Sequence, residues 1–187
     1  MAMIQCHYIK ISGDQCIETP KLSNTPLDKL QLPSNLQAVI ATRFDGLTMR
    51  QQQLTKIASV IGKVFTFDQL QVCCTESRAI DYDPSEHPNL ASLIAEELDA
   101  LQAVHILKTR QTETGVVVYD FTHILLQEMA YKMLTHVLRQ LLHRAIASDL
   151  LSKSEVTMNL ASVAKHYQKA HEFGKALDFW QKAGDQV

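Results

Sequence analysis

Between His105 and Phe121 the hydrophobic period of this chain changes from 3.6 to 2, and then it changes back. That switch limits the folds open to the chain more than any single residue does. Before it, Leu90, Leu93, Ile94, Leu98 and Leu101 share one face of a helix predicted over Asn89 to Val104. Within it, alternation predicts a strand over His105–Arg110, a polar turn over Gln111–Gly115 and a second strand over Val116–Phe121. After it, Ile124, Leu125, Met129, Met133, Leu134, Val137, Leu138, Leu141, Leu142, Ile146 and Leu150 form a long apolar stripe, with a break predicted near Thr135. A two-stranded hairpin is thus set into a chain that is otherwise helical. Only 6 Gly and 5 Pro occur in 187 residues, so few positions interrupt helices.

The elements before the switch are delimited by caps. Ser34 follows Pro33 as an N-cap, and Leu36, Val39, Ile40 and Phe44 give the helix one face, ended by Gly46. Thr48 caps a second helix with Leu54, Ile57, Ala58 and Ile61 in a stripe, ended by Gly62. Phe65 and Phe67 flank a short connector, Asp68–Cys73 reads as a third helix, and residues 75–88 read as a loop. Cys6–Ser12 alternates as a short strand. Pro20, Pro26 and Pro33 then punctuate a linker-like stretch, so residues 1–29 read as a linker or the tail of a preceding module. Helices followed by a hairpin is the winged-helix order. The predicted fold class is mainly α: a winged helix over 30–121, a helical connector over 122–155, and a final helical pair over 156–187.

That final pair, Val156–Ala170 and Glu172–Gln186 joined at His171, matches the spacing of a tetratricopeptide repeat at Ala164, Tyr167, Ala176, Trp180 and Ala183. Small residues let two helices approach, and aromatics fill the wedge between them. A generic helical hairpin with Ala at its crossing is the alternative. Such arrays need about three repeats to bury their faces, so the chain reads as a piece of something longer or as ending in an exposed face. Tyr167, Phe179 and Trp180 are the candidate partner-binding residues.

Several functions are disfavoured. Charge is balanced, with 18 Lys+Arg against 20 Asp+Glu. The helix before the hairpin carries Glu96, Glu97 and Asp99 and no cation, which disfavours contact with nucleic-acid phosphates. Ile57 and Lys169 stand five residues before Gly62-Lys63 and Gly174-Lys175, so neither pair closes a phosphate-binding loop, and no other catalytic signature occurs. No apolar run reaches the roughly 18 residues of a membrane span. Four cysteines without CxxC spacing read as reduced thiols of a cytoplasmic protein. In the Cys73-Cys74 pair, one thiol is expected to be buried and one half-exposed. His136 and His143 lie seven apart, and His123 and His166 can join them only through tertiary folding, so no metal site is expected. His136 and His143 are expected to be partly exposed.

Ordered stretches carry a resemblance. Leu32-Pro33-Ser34-Asn35-Leu36, Arg43-Phe44-Asp45-Gly46-Leu47 and Ala58-Ser59-Val60-Ile61-Gly62-Lys63-Val64-Phe65 resemble the winged-helix region of STAND-type signalling ATPases. Phe121-Thr122-His123-Ile124-Leu125-Leu126-Gln127-Glu128-Met129-Ala130-Tyr131 resembles the segment after the wing in that group. Leu142-His143-Arg144-Ala145-Ile146-Ala147 resembles the helix that follows. Within the group the look is nearest to the region after the ATPase module of the soluble adenylate cyclase kind (adenylate cyclase type 10). The resemblance covers about residues 30–187. It implies a non-catalytic regulatory segment in cAMP signalling that packs against an ATPase module and relays the state of the repeats. It implies His123 as an interdomain nucleotide sensor. ATP and Mg would belong to the parent protein, and no cofactor to this chain. The alternatives are a standalone tetratricopeptide adaptor and, less favoured, a winged-helix DNA-binding regulator.

Overall fold

Two threonines start helices by the same device. The Thr48 hydroxyl accepts from the Gln51 N–H, while the Gln51 side chain accepts from the Thr48 N–H. Thr66 and Gln69 repeat the arrangement. Each pair satisfies two of the backbone donors that a helix start leaves open. The structure, a computed structural model, describes residues 9–12, 15–18, 34–78, 80, 89–152 and 160–185. In chain order its elements are β1 (Ile9–Ser12), β2 (Gln15–Glu18), α1 (Ser34–Asp45), α2 (Met49–Ile61), β3 (Val64–Thr66), α3 (Phe67–Ser77), α4 (Leu90–Ala103), β4 (Leu107–Gln111), β5 (Val117–Phe121), α5 (Ile124–Lys132), α6 (His136–Ser152), α7 (Leu160–Lys169) and α8 (Phe173–Gly184). The chain is mainly helical and divides into two compact units, Met1–Gly46 and Leu47–Val187.

In the first unit, β1 and β2 pair antiparallel, with Ile9 opposite Glu18 and Ser12 opposite Gln15. The strand predicted over Cys6–Ser12 overlaps β1, whereas β2 was not predicted. The linker reading falls mostly on residues 19–33, outside the described residues. In α1, Ile40 and Phe44 are buried as predicted, but Val39 is 58% exposed. The helix ends where Gly46 N–H donates to Thr42 O at 3.1 Å.

In the second unit, the predicted hairpin forms as β4 and β5, with Leu107 opposite Phe121 and Gln111 opposite Val117. A third strand joins it. β3 pairs with β5, Val64 opposite Asp120 and Thr66 opposite Val118, so the sheet runs β3-β5-β4. Three residues are too few to show a period, which is why this segment reads as a connector in the sequence. Phe65 secures it: the ring is buried, stacks on Tyr119 at 5.6 Å and meets Phe121 at 6.0 Å. Leu54, Ile57 and Ala58 of α2, Leu70 of α3, and Leu93, Ile94, Leu98 and Leu101 of α4 are buried in this unit. α4 starts on Asn89, whose side chain accepts from the Ser92 N–H. It ends at His105, which adopts a left-handed φ of 56°. His105 N–H bonds Gln102 O and Ile106 N–H bonds Leu101 O, the paired closure that such a residue permits.

α3 runs beyond the predicted Cys73 to Ser77, and the remainder of the predicted loop, 79 and 81–88, lies outside the described residues. Cys73 and Cys74 are both buried, which corrects the expectation that one is half-exposed. Burial is the main cause that pushes the Cys73 thiol up to about 12, with Asp149 and Glu76 adding to it; burial and Cys73 push Cys74 up as well. Thiolates are the reactive form. In a variant carrying C6S and C16S, neither remaining thiol is expected to react with Ellman's reagent in native buffer within minutes. Both should react at once in denaturant. Rapid native labelling would show that the α3 packing is wrong.

The stripe predicted after the hairpin does not lie on one face. It is broken at Met133–Thr135, as expected, into α5 and α6. Leu125, Leu126, Leu134, Leu142 and Ile146 are buried, whereas Met133, Val137 and Leu141 are exposed. Within α6 itself Val137 and Leu141 are exposed while Leu142 and Ile146 are buried. α5 is tied back by polar contacts: the Gln127 side-chain amide donates to Ser59 O at 2.7 Å, satisfying a carbonyl in the last turn of α2. α7 and α8 form an antiparallel hairpin against α6, where Ala147, Val163, Tyr167 and Ala176 make a buried cluster with Leu150, Leu151 and Phe179 packed on it. The helix start predicted at Val156 lies outside the described residues.

Candidate functional site

Three helices of the second unit meet through side chains that are far apart in sequence. Tyr131 stands near the end of α5, His143 lies mid-way along α6, and His166 lies in the last turn of α7. Tyr131 Oη lies 3.0 Å from His143 Nε2, and His143 Nδ1 lies 2.9 Å from His166 Nδ1. His143 is buried, which corrects the expectation of partial exposure. Burial, His166 and the cations Lys169, Arg139 and Lys165 hold His143 down at about 2. Burial, Lys169 and Lys165 hold His166 down at about 4. Both imidazoles are therefore neutral at physiological pH. Each neutral ring has one donor and one acceptor nitrogen, so the chain Tyr131–His143–His166 holds a single direction of donation at a time. Two imidazolium rings would place two hydrogens between the two Nδ1 atoms and break the link.

Beside this chain opens a cleft of about 170 Å³, lined by Tyr131, His136, Arg139, Gln140, Lys169 and His171. The Arg139 guanidinium lies 5.1 Å and the Lys169 ammonium 5.3 Å from the centre of the Tyr131 ring. A π face attracts a cation electrostatically. Arg139 Nε is buried and has no hydrogen-bond partner. His136 and His171 close one side, their rings edge to face at 4.9 Å. His171 is placed by the turn between α7 and α8. It takes a left-handed φ of 61°, with His171 N–H on Gln168 O and Glu172 N–H on Tyr167 O. Glu172 itself faces another way, ion-paired to Arg144 and, at 2.7 Å, to Lys175.

The residues singled out from the sequence are dispersed. His123 is exposed at the start of α5, and its side chain makes no capping hydrogen bond. The preceding residue, Thr122, joins the start of α5 to the hairpin, its hydroxyl lying 2.7 Å from His105 O and 2.9 Å from Ile106 O. Tyr167 is buried, so it supports the α7–α8 hairpin and is not open to a partner. Phe179 is half-buried and stacks on Tyr167 at 5.6 Å, filling the wedge that the spacing assigned to Trp180. Trp180 is 43% exposed. His136 and His143 do not converge, since one lines the cleft and the other is locked to His166. Among the described residues no three His, Cys, Asp or Glu side chains form a group that could hold a metal ion, and no helix is long and apolar enough to cross a membrane. The cleft was not visible in the sequence, because its residues come from three helices and a turn. Comparison with protein-family models, with curated proteins and with solved structures finds no match.

Proposed function

We propose that this chain is a non-catalytic regulatory and interdomain segment of a STAND-type signalling ATPase, of the soluble adenylate cyclase kind, working in cAMP signalling in the cytoplasm. The observation that carries the reading is a row on α8. Phe173, Leu177 and Trp180 follow at i, i+4 and i+7 and are 61%, 60% and 43% exposed. A single amphipathic face left open at the outer helix of a hairpin is what a further repeat covers in a helical array. The helices, hairpin, connector and helical pair also follow in the order that a winged helix and a tetratricopeptide repeat require. In this reading ATP and Mg belong to the parent ATPase module, and exposed His123 reaches toward its nucleotide from outside. The exposed side of α4 carries Glu96 and Asp99, which favours a role without nucleic acid. An immunoblot of the native protein with an antibody to residues 121–187 tests the reading. A band far above 21.1 kDa is expected; a band at that mass would overturn it.

The same row supports a second reading, a standalone adaptor that binds a partner helix in a groove beside α8. Exposed Trp residues at interfaces cost about 2 kcal/mol or more when truncated. Under this reading Trp180→Ala should recover less than about a tenth of the partners that the wild-type chain retains in a pull-down. Equal recovery would remove it.

A further inference from the structure

The exposed apolar row on α8 is bordered by a second row of different character. We infer, resting on the adaptor reading of α8, that this face receives one kind of partner in trans: an amphipathic helix whose apolar stripe is edged by Lys or Arg.

Helical spacing lays out the two rows. With 3.6 residues per turn, Phe173, Leu177 and Trp180 fall within about 60° of one another around the axis. Phe173 touches only the rim of the turn, its ring 5.4 Å from that of His171. Gly174, Asp178, Gln181 and Asp185 follow at i, i+4, i+7 and i+11, about 100° further round, and all four are exposed. The opposite edge of the apolar row is closed, because Ala176 is buried with Ala147, Val163 and Tyr167. A helix seated on Phe173, Leu177 and Trp180 therefore meets the Asp178 row along its open side.

Charge selects the partner. The open row carries two carboxylates and no cation. Both lysines of α8 are turned elsewhere. Lys175 lies 2.7 Å from Glu172 and 5.1 Å from the centre of the Tyr167 ring, and Lys182 lies 5.1 Å from the centre of the Phe179 ring. Among the described residues no ion pair reaches Asp178 or Asp185. Asp185 also caps the carboxyl end of α8, where the helix dipole is negative. Lys or Arg along the edge of a docked helix would meet this row as opposite charges, which steer encounter and fix register. Shape agrees. A Cβ built at Gly174 meets nothing within 4 Å, so no packing inside this chain calls for glycine there, and the bare backbone lets a second helix come close. The row supplies an aromatic anchor in Trp180, the residue type that carries most docking energy. A second copy of the chain fits less well. Docked antiparallel about a two-fold axis, it would set its own Asp178 row against this one, like charge on like.

The chain holds one Trp, so Trp180 reports on its own face. The test is a fluorescence titration of the full chain at neutral pH and low salt with two synthetic helical peptides. Both are free of Trp, about 14 residues long and built on the same Leu stripe. One edges the stripe with Lys, the other with Glu. A saturable blue shift of Trp180 emission is expected with the Lys peptide, and binding at least about tenfold weaker with the Glu peptide. The double variant Asp178→Lys, Asp185→Lys changes exposed positions only and should reverse that preference. Leu177→Asp, also at an exposed position, should remove the shift with both peptides. Equal binding of the two peptides, or a preference that the double variant leaves unchanged, would overturn the charge selection while leaving α8 a docking face. No saturation with either peptide up to about 100 μM would overturn the docking face as well. A blue shift on concentrating the chain alone would assign the face to a second copy and overturn the proposed partner.

Discussion

Tyr167→Ala is expected to lower the unfolding free energy of the second unit by about 3–5 kcal/mol, the range for deleting a buried aromatic ring. Tyr167 is 4% exposed and sits among Ala147, Val163 and Ala176, with Phe179 stacked on it. Deletion removes the ring and also strips Phe179 of its partner. A loss of that size is a large fraction of the 5–15 kcal/mol that holds an ordinary domain together. Urea unfolding followed by far-UV circular dichroism measures it, and Tyr167→Phe serves as the control, since it keeps the ring and should cost far less. Ala176→Leu probes the same contact from the other side. Adding volume where α8 crosses α7 should cost about 1–3 kcal/mol. If Tyr167→Ala costs under about 1 kcal/mol, the hairpin is not docked as described.

Acid is expected to weaken the junction of α6 and α7 before any carboxylate titrates. His143 and His166 have folded values held below the ordinary 6.5, at about 2 and about 4. The unfolded chain therefore takes up protons as pH falls through 6.5, and the folded chain does not. Stability is at its full value above pH 6.5 and is lost as pH falls below it. The loss approaches two protons, at about 1.4 kcal/mol per pH unit for each. Glu172, held down chiefly by its hydrogen bond to Lys175, acts in the same direction only at lower pH, so the window from 6.5 to 5 isolates the histidines. His143→Gln removes one of the two titrating rings and should halve the slope of unfolding free energy against pH in that window. A flat profile from pH 7 to 5 in the wild-type chain would show that the two rings are not buried as a neutral pair.

Much of the fold can be read from local pattern. Thr48 and Asn89 announce helix starts because a short polar side chain next to an apolar period can satisfy the open backbone donors of the first turn. The change of period marks β4 and β5, and the break between α5 and α6 falls where it was predicted. The α7–α8 hairpin, with Ala164 and Ala176 buried, follows from spacing alone. These features depend on residues within a few positions of one another, so the sequence by itself determined them.

Tertiary structure decided the rest. Period tells which residues share a face, not what the face meets. Val137, 74% exposed, and Ile146, buried, belong to the same predicted stripe and to the same helix, α6, and only what packs against each side of that helix separates their environments. Phe179 rather than Trp180 fills the wedge against Tyr167, because the rotation of α8 about its axis is set by packing on α6 and α7. β3 is a strand only because β5 offers an unpaired edge. The candidate site is the extreme case. Histidine is at home on either a wet or a dry face, so nothing local marks His143 as buried. Its partner lies 23 residues away on another helix. Tyr131, Arg139 and Lys169 meet only when three helix ends converge, and an electrostatic cleft made in that way has no signature in one dimension.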